Sequence, residues 1–149
     1  MNDEKYMQVA FEIAKQSTCY SEPKGAIIVK NDVILATGYN NVPISGMSCR
    51  DKYGYCYRRK LGFQTGEGLE FCRGIHAEAA AICEAARKGY SVEGAILFTT
   101  HFPCNECAKL IVNAGIIKVC YQHEYSSCFS SEILRQGNVS VLHHRSNTN

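Results

Sequence analysis

Between Ala79 and Leu142 the chain alternates between two hydrophobic periods, and this alternation limits the available folds more than any other feature. Ala79, Ile82, Cys83 and Ala86 recur at helical spacing and run into Arg87-Lys88-Gly89, the order of a glycine-capped helix end. Residues 95–99 then read as a strand, 105–114 as a helix closed by Gly115, 116–121 as a strand, Ser130–Gln136 as a helix and 139–142 as a last short strand. Strands separated by helices pair in parallel through right-handed crossovers. Upstream, Val9, Ala10, Ile13 and Ala14 mark a first helix ending near Ser17. The aliphatic runs 25–29 and 33–37, separated by Lys30-Asn31-Asp32, mark a hairpin. The expected architecture is a three-layer α/β/α domain: a five-stranded mixed sheet with helices on both faces.

A length of 149 residues predicts one domain spanning 1–149. Apolar residues at 46% and charged residues at 20%, without repeats, exclude disordered and fibrous classes. The formal charge of +2, from 16 basic and 14 acidic side chains, is too small to favour a nucleic acid polymer, so the expected ligand is a small molecule. The opening stretch is acidic and amphipathic, with neither a secretion signal nor a membrane span expected. Nine cysteines therefore predict a reducing, cytoplasmic setting, where clustered thiols bind metal more often than they form disulfides. From about 40 to 75 the periodicity disappears. So long a connection must be functional, disordered or internally tied, and an ordered insertion is the expectation.

Two motifs stand at predicted helix starts, where open α/β sheets place their ligands: His76-Ala77-Glu78 and Pro103-Cys104-Asn105-Glu106-Cys107. One imidazole and two thiols suit a tetrahedral zinc ion with its fourth position open to water. The two-residue gap between Cys104 and Cys107 lets both sulfurs converge from one helical turn. Such an ion polarises water toward hydroxide near neutral pH. Glu78, two residues from the histidine, is assigned as general acid/base rather than ligand, because a carboxylate held on the metal cannot move protons. Either motif alone is weak evidence. Together, in this order, they match the zinc deaminase signature.

With these residues in hand, the chain resembles the deoxycytidylate deaminase branch of the cytidine deaminase-like superfamily. The resemblance extends over Ser17-Thr18-Cys19, Gly25-Ala26-Ile27-Ile28-Val29, Ala36-Thr37-Gly38-Tyr39-Asn40, Thr100-His101-Phe102-Pro103-Cys104 and Asn113-Ala114-Gly115-Ile116. It implies attack of hydroxide on C4 of cytosine, converting dCMP to dUMP. It also implies a homo-oligomer, often a hexamer, and leaves room for dCTP and dTTP as effectors. By the same resemblance Asn40 contacts the sugar, Arg87 the phosphate, and Tyr125 lines the nucleotide, with Thr100 and His101 on the substrate side. From the residues alone, Arg87 reads as a helix-end cation and Tyr125 as a strand-end aromatic. Ala80, Asn41 and Ser21-Glu22 depart from the family pattern, and an inward-pointing Glu22 would repel a phosphate.

Cys19, Cys49, Cys56 and Cys72 lie outside the catalytic motifs, and four thiols can close a structural zinc site that orders the insertion. The resemblance implies an extra zinc with Cys19 and Cys49 as ligands; Cys56 and Cys72 complete the set by inference. Cys83, Cys120 and Cys128 read as small hydrophobes, His123 as a strand-end residue, and His143 and His144 as part of a fraying tail. Two other functions compete: deamination of another amino-heterocycle such as cytidine, guanine or a riboflavin precursor, and a silent nucleotide sensor. Glu78 argues against the sensor, which has no use for a proton carrier.

Overall fold

The computed structural model describes residues 2–125 and 129–146, and it contains the expected layers. In chain order the elements are α1 (Asp3–Ala14), β1 (Gly25–Lys30), β2 (Val33–Tyr39), α2 (Cys49–Lys52), α3 (Tyr57–Lys60), a 3-10 turn at Leu69–Phe71, α4 (Ala77–Lys88), β3 (Ile96–His101), α5 (Asn105–Asn113), β4 (Lys118–His123), α6 (Ser130–Gln136) and β5 (Ser140–His143). The sheet order is β2-β1-β3-β4-β5. β1 is antiparallel to both neighbours, and β3, β4 and β5 run parallel. The hairpin closes through Asn31 and Asp32, both at positive φ, the two-residue turn whose twist matches paired strands.

Alternation along the strands sorts the core into two layers. Ile27, Val29, Phe98 and Cys120 face α1 and bury its Tyr6 and Met7. Ala26, Ile28, Leu97 and Val119 face the opposite way, against Ala77, Ala81 and Ala85 of α4 and Ala108 and Ile111 of α5. This corrects the stripe read from the sequence on α4. The sheet-facing residues are the alanines at 77, 81 and 85, while Cys83 and Ala86 are exposed.

The reason lies in how closely α4 approaches β2. A Cβ at Gly38 would sit 2.3 Å from the Ala77 carbonyl oxygen and 2.4 Å from the Ala81 nitrogen, so only glycine against alanine permits the contact. Gly38→Ala is expected to cost about 3 kcal/mol by overpacking against backbone, lowering Tm by roughly 10 °C for a domain of this size. An unchanged thermal melt would show that the contact is not as tight as described. The first turn of α4 carries Glu78, so this packing also sets the height of that residue above the sheet.

Several boundaries differ from expectation, α1 ending at Ala14 and β2 running on to Tyr39 among them. β3 continues to His101, because Thr99 and His101 still pair with β4. β4 starts at Lys118 rather than 116, since Ile117 points outward and is 54% exposed. His143 belongs to β5 instead of a frayed tail: its ring stacks on Tyr121 at 4.8 Å and its Nε2 pairs with the Gln122 carbonyl at 2.8 Å. Within the insertion, two four-residue helices and the 3-10 turn are too short to show periodicity in sequence. Its neck is closed by a bridge between Asn41 and Ile75, with Ile75 N–H donating to the Asn41 carbonyl at 2.7 Å. Asn41, one of the departures from the family pattern, also accepts from the Thr18 hydroxyl at 3.0 Å. His76 follows immediately after this tie. No helix among the described residues is long and apolar enough to cross a membrane.

Candidate metal centre and pocket

His76 and Cys104 occupy the N-cap positions of α4 and α5, and neither side chain caps its own helix. Caps are normally Ser, Thr, Asp or Asn, whose oxygens satisfy the first amides. Here the side chains are left to face one another. Cys104 Sγ lies 3.3 Å and Cys107 Sγ 3.6 Å from His76 Nδ1, close to the edge of about 3.6 Å expected for a tetrahedron with zinc–nitrogen and zinc–sulfur bonds of ordinary length. Among the described residues, these three form the group of ligand-type side chains whose atoms all fall within 4.8 Å of one another. The donor set therefore fits zinc.

The thiols are electrostatically prepared for a cation. A hydrogen bond from the Cys107 thiol draws Cys104 down to about 4, against the burial that opposes ionisation and with a further contribution from His76. Cys107, the donor, is pushed up by that same bond and by burial. A metal bound there would take both sulfurs as thiolates and release the remaining proton. The amino ends of α4 and α5 add positive potential at the same point.

Glu78, 5% exposed, sits in the first turn of α4 and accepts a hydrogen bond from the Thr99 hydroxyl at 2.8 Å. That hydroxyl also lies 3.1 Å from the His101 carbonyl. Thr99 was missed in the sequence, although two threonines ending an apolar strand are a usable sign of buried polar function. Glu78, His76 and Cys104 line one pocket together with Asn40, His101 and Tyr125. Asn40 is held at both ends of its amide: Lys24 N–H donates to Oδ1 at 2.7 Å, and Nδ2 donates to the Glu22 carbonyl at 2.8 Å.

Two sequence candidates lie elsewhere. Thr100 is fully buried below the pocket, where it accepts from Gly25 N–H at 3.2 Å and pairs with His101 Nδ1 at 2.8 Å. Arg87 is exposed near the far end of α4, roughly 16 Å along the helix axis from His76 at 1.5 Å per residue. It is outside the pocket lining.

Glu22 lines the pocket, and its carboxylate is held by a neighbouring ring. Its Oε1 lies 2.8 Å from His101 Nε2. The Glu22 carboxylate can only accept, so His101 Nε2–H donates to it, and a neutral ring then leaves Nδ1 to accept the Thr100 hydroxyl proton. Burial holds the His101 ring below its usual range, outweighing Glu22 and so keeping the ring neutral. Burial acts to raise Glu22, but the hydrogen bond from His101, with the nearby Lys24 charge, outweighs it and leaves the carboxyl below its usual range.

Cys19, Cys49, Cys56 and Cys72 all border the same pocket from the insertion side. Burial raises the Cys49 thiol, and the neighbouring Cys72, Cys56 and Cys19 raise it further. Gly74 N–H donates to Cys72 Sγ at 3.4 Å. Cys120 is buried on the α1 side, its thiol pushed up to about 11 by desolvation, as a packing residue would be. Cys128 lies outside the described residues.

Comparison with known proteins points to one group. The family profile described as "Cytidine and deoxycytidylate deaminase zinc-binding region" matches residues 1–123. The chain is 32% identical to the deoxycytidylate deaminase of Enterobacteria phage T2, over 91% of this chain and 88% of the phage protein. It is 34% identical to the deoxycytidylate deaminase of Mycobacterium phage D29, over 82% and 94% of the two chains. The crystal structure of dCMP deaminase from the cyanophage S-TIM5 in complex with dCMP and dUMP is similar with a TM-score of 0.78 and 33% identity, covering 95% of each chain.

Proposed function

The chain belongs to the cytidine and deoxycytidylate deaminase family, and from that premise we propose that it converts dCMP to dUMP by hydrolytic deamination. In this reading His76, Cys104 and Cys107 are the ligands of a catalytic zinc ion and Glu78 is the proton carrier. The observation that supports it most is the cluster of three ligand atoms, with His76 and Cys104 on the wall of a pocket that the buried Glu78 also lines.

When bound there, zinc supplies the Lewis acidity that makes water nucleophilic near neutral pH. Glu78 takes the proton released from that water and places it on ring N3, where it stays in the product. After oxygen is added at C4, Glu78 takes the proton of the new hydroxyl and delivers it to the amine, which leaves as ammonia. Thr99 fixes the carboxylate during both transfers, because its hydrogen bond holds Oε1. Tyr125 lies beside the nucleotide, and Asn40 braces the sugar side through the backbone of Glu22 and Lys24. Burial of Glu78 excludes bulk water from competing for its proton.

The test is ammonia release from dCMP, dCTP, CMP and cytidine assayed side by side. Turnover of dCMP above the others is expected; failure to release ammonia from any of them overturns the proposal, and turnover confined to guanine or a riboflavin precursor replaces it with the rival amino-heterocycle.

The proposal extends to a structural zinc held by Cys19, Cys49, Cys56 and Cys72. The influence of the three neighbouring thiols on Cys49 and the amide donated to Cys72 support it, although among the described residues these sulfurs do not form a group as close as that of His76, Cys104 and Cys107. Purified protein is expected to carry two zinc equivalents per chain, and Cys56→Ser one; a single equivalent in wild type removes the second site. A homo-oligomer in the cytoplasm completes the reading. The oligomer is supported by the edge strand β5, where Val141 and Leu142 are 44% and 40% exposed.

A further inference from the structure

Taking the proposed deamination of a cytosine compound as given, we infer that Lys24 is the cation that selects a phosphorylated substrate in this chain. Arg87, the phosphate contact implied by resemblance, is outside the pocket. The cations bordering it are Lys24 and Arg58. Arg58 is 6% exposed and already committed: its guanidinium donates to the carbonyls of Gln64 and Glu67, the latter at 3.0 Å, and reaches Ser21 Oγ at 3.4 Å.

Lys24 is in a different position. Among the described residues it makes no salt bridge, and its ammonium rests 4.1 Å from the centre of the Tyr125 ring. Its backbone is fixed on both sides, by the 2.7 Å bond to Asn40 Oδ1 and by Gly25, whose missing Cβ would lie 2.2 Å from the Ala10 carbonyl oxygen. The charge is therefore delivered to a set place at the wall of the pocket. It adds to the burial that holds the His101 ring below its usual range.

Glu22 lines the same pocket and feels the Lys24 charge, yet among the described residues the two form no salt bridge. Glu22 gives its Oε1 to His101, and that bond belongs to a proton chain running back through Thr100 to Gly25. Pairing of Glu22 with Lys24 would require a phosphate to displace a carboxylate before it could bind. Holding Glu22 on His101 leaves the ammonium with a ring face as its partner, a contact that an incoming dianion readily supplements. Lysine serves as a compact point charge for phosphate, which suits a site with room for one cation.

The inference is tested by measuring kcat/KM for dCMP and for deoxycytidine with wild type, Lys24→Met and Lys24→Arg, with zinc content and melting curves checking that each variant is folded. Lys24→Met is expected to reduce the preference for dCMP over deoxycytidine by about 10- to 100-fold, the loss that follows removal of a charge-assisted contact. The change should fall in KM, with Lys24→Arg restoring most of the preference. Inorganic phosphate should compete with dCMP in wild type and compete at least tenfold more weakly in Lys24→Met. Wild-type preference for dCMP that survives in Lys24→Met overturns the inference while leaving deamination intact. So does wild type that deaminates both compounds without preference. Absence of ammonia from both substrates overturns the deamination reading as well.

Discussion

Glu78→Gln is expected to lower kcat for ammonia release about 1,000-fold, within the range that a positioned acid/base contributes, while KM and zinc content stay near wild type. Glutamine keeps the shape of the side chain and can still accept the Thr99 hydroxyl at the position of Oε1. It cannot take up a proton. The step lost is thus confined to the transition state, which lowers kcat and kcat/KM together. Glu78→Ala is a poorer probe, because it also leaves the buried Thr99 hydroxyl without its carboxylate partner. Activity within threefold of wild type in the glutamine variant would mean that protons reach the ring by another route, and the assignment of Glu78 would be wrong.

Loss of the metal should affect both turnover and stability. Cys107→Ser removes a thiol that is 2% exposed and replaces it with a poorer zinc ligand. One zinc equivalent and essentially all activity are expected to disappear. A ligand present at 1,000 times its dissociation constant stabilises the folded state by about 4 kcal/mol, which corresponds to roughly 10 °C in Tm for a domain of this length. Treating wild type with a strong chelator should reproduce the loss of activity, and added zinc should restore it. A chelated protein that still releases ammonia at the wild-type rate would exclude the metal from the reaction. A serine variant with full zinc content would exclude Cys107 as a ligand.

The sequence revealed the layers because strand and helix periods differ so clearly along this chain. Where apolar side chains surround a helix, however, period alone does not say which stripe faces the sheet. In α4 both the 77/81/85 and the 79/82/86 positions are apolar, and the choice fell to the alanines because Gly38 brings β2 against the helix backbone. The insertion was legible as a long ordered segment, yet its short helices carry too few turns to leave a pattern. His143 was misread because a polar residue at the end of a short edge strand looks like tail; pairing to β4 and stacking on Tyr121 decide otherwise.

Sequence by itself marked the two motifs of the proposed metal site: His76 with Glu78, and Cys104 with Cys107, are local pairs whose members share a single helical turn, so their spacing can be read without a fold. Only the tertiary structure decided what surrounds them. Thr99 reaches Glu78 across 21 positions, and Glu22 reaches His101 across 79. Lys24 gains its place over Tyr125 from the opposite end of the chain, while Arg87, close to Glu78 in sequence, is carried away by the rise of its own helix. Local spacing constrains residues within a turn. Contacts between distant segments exist only once the sheet has paired and the helices have packed, and here those contacts orient the carboxylate and supply the pocket with its charge.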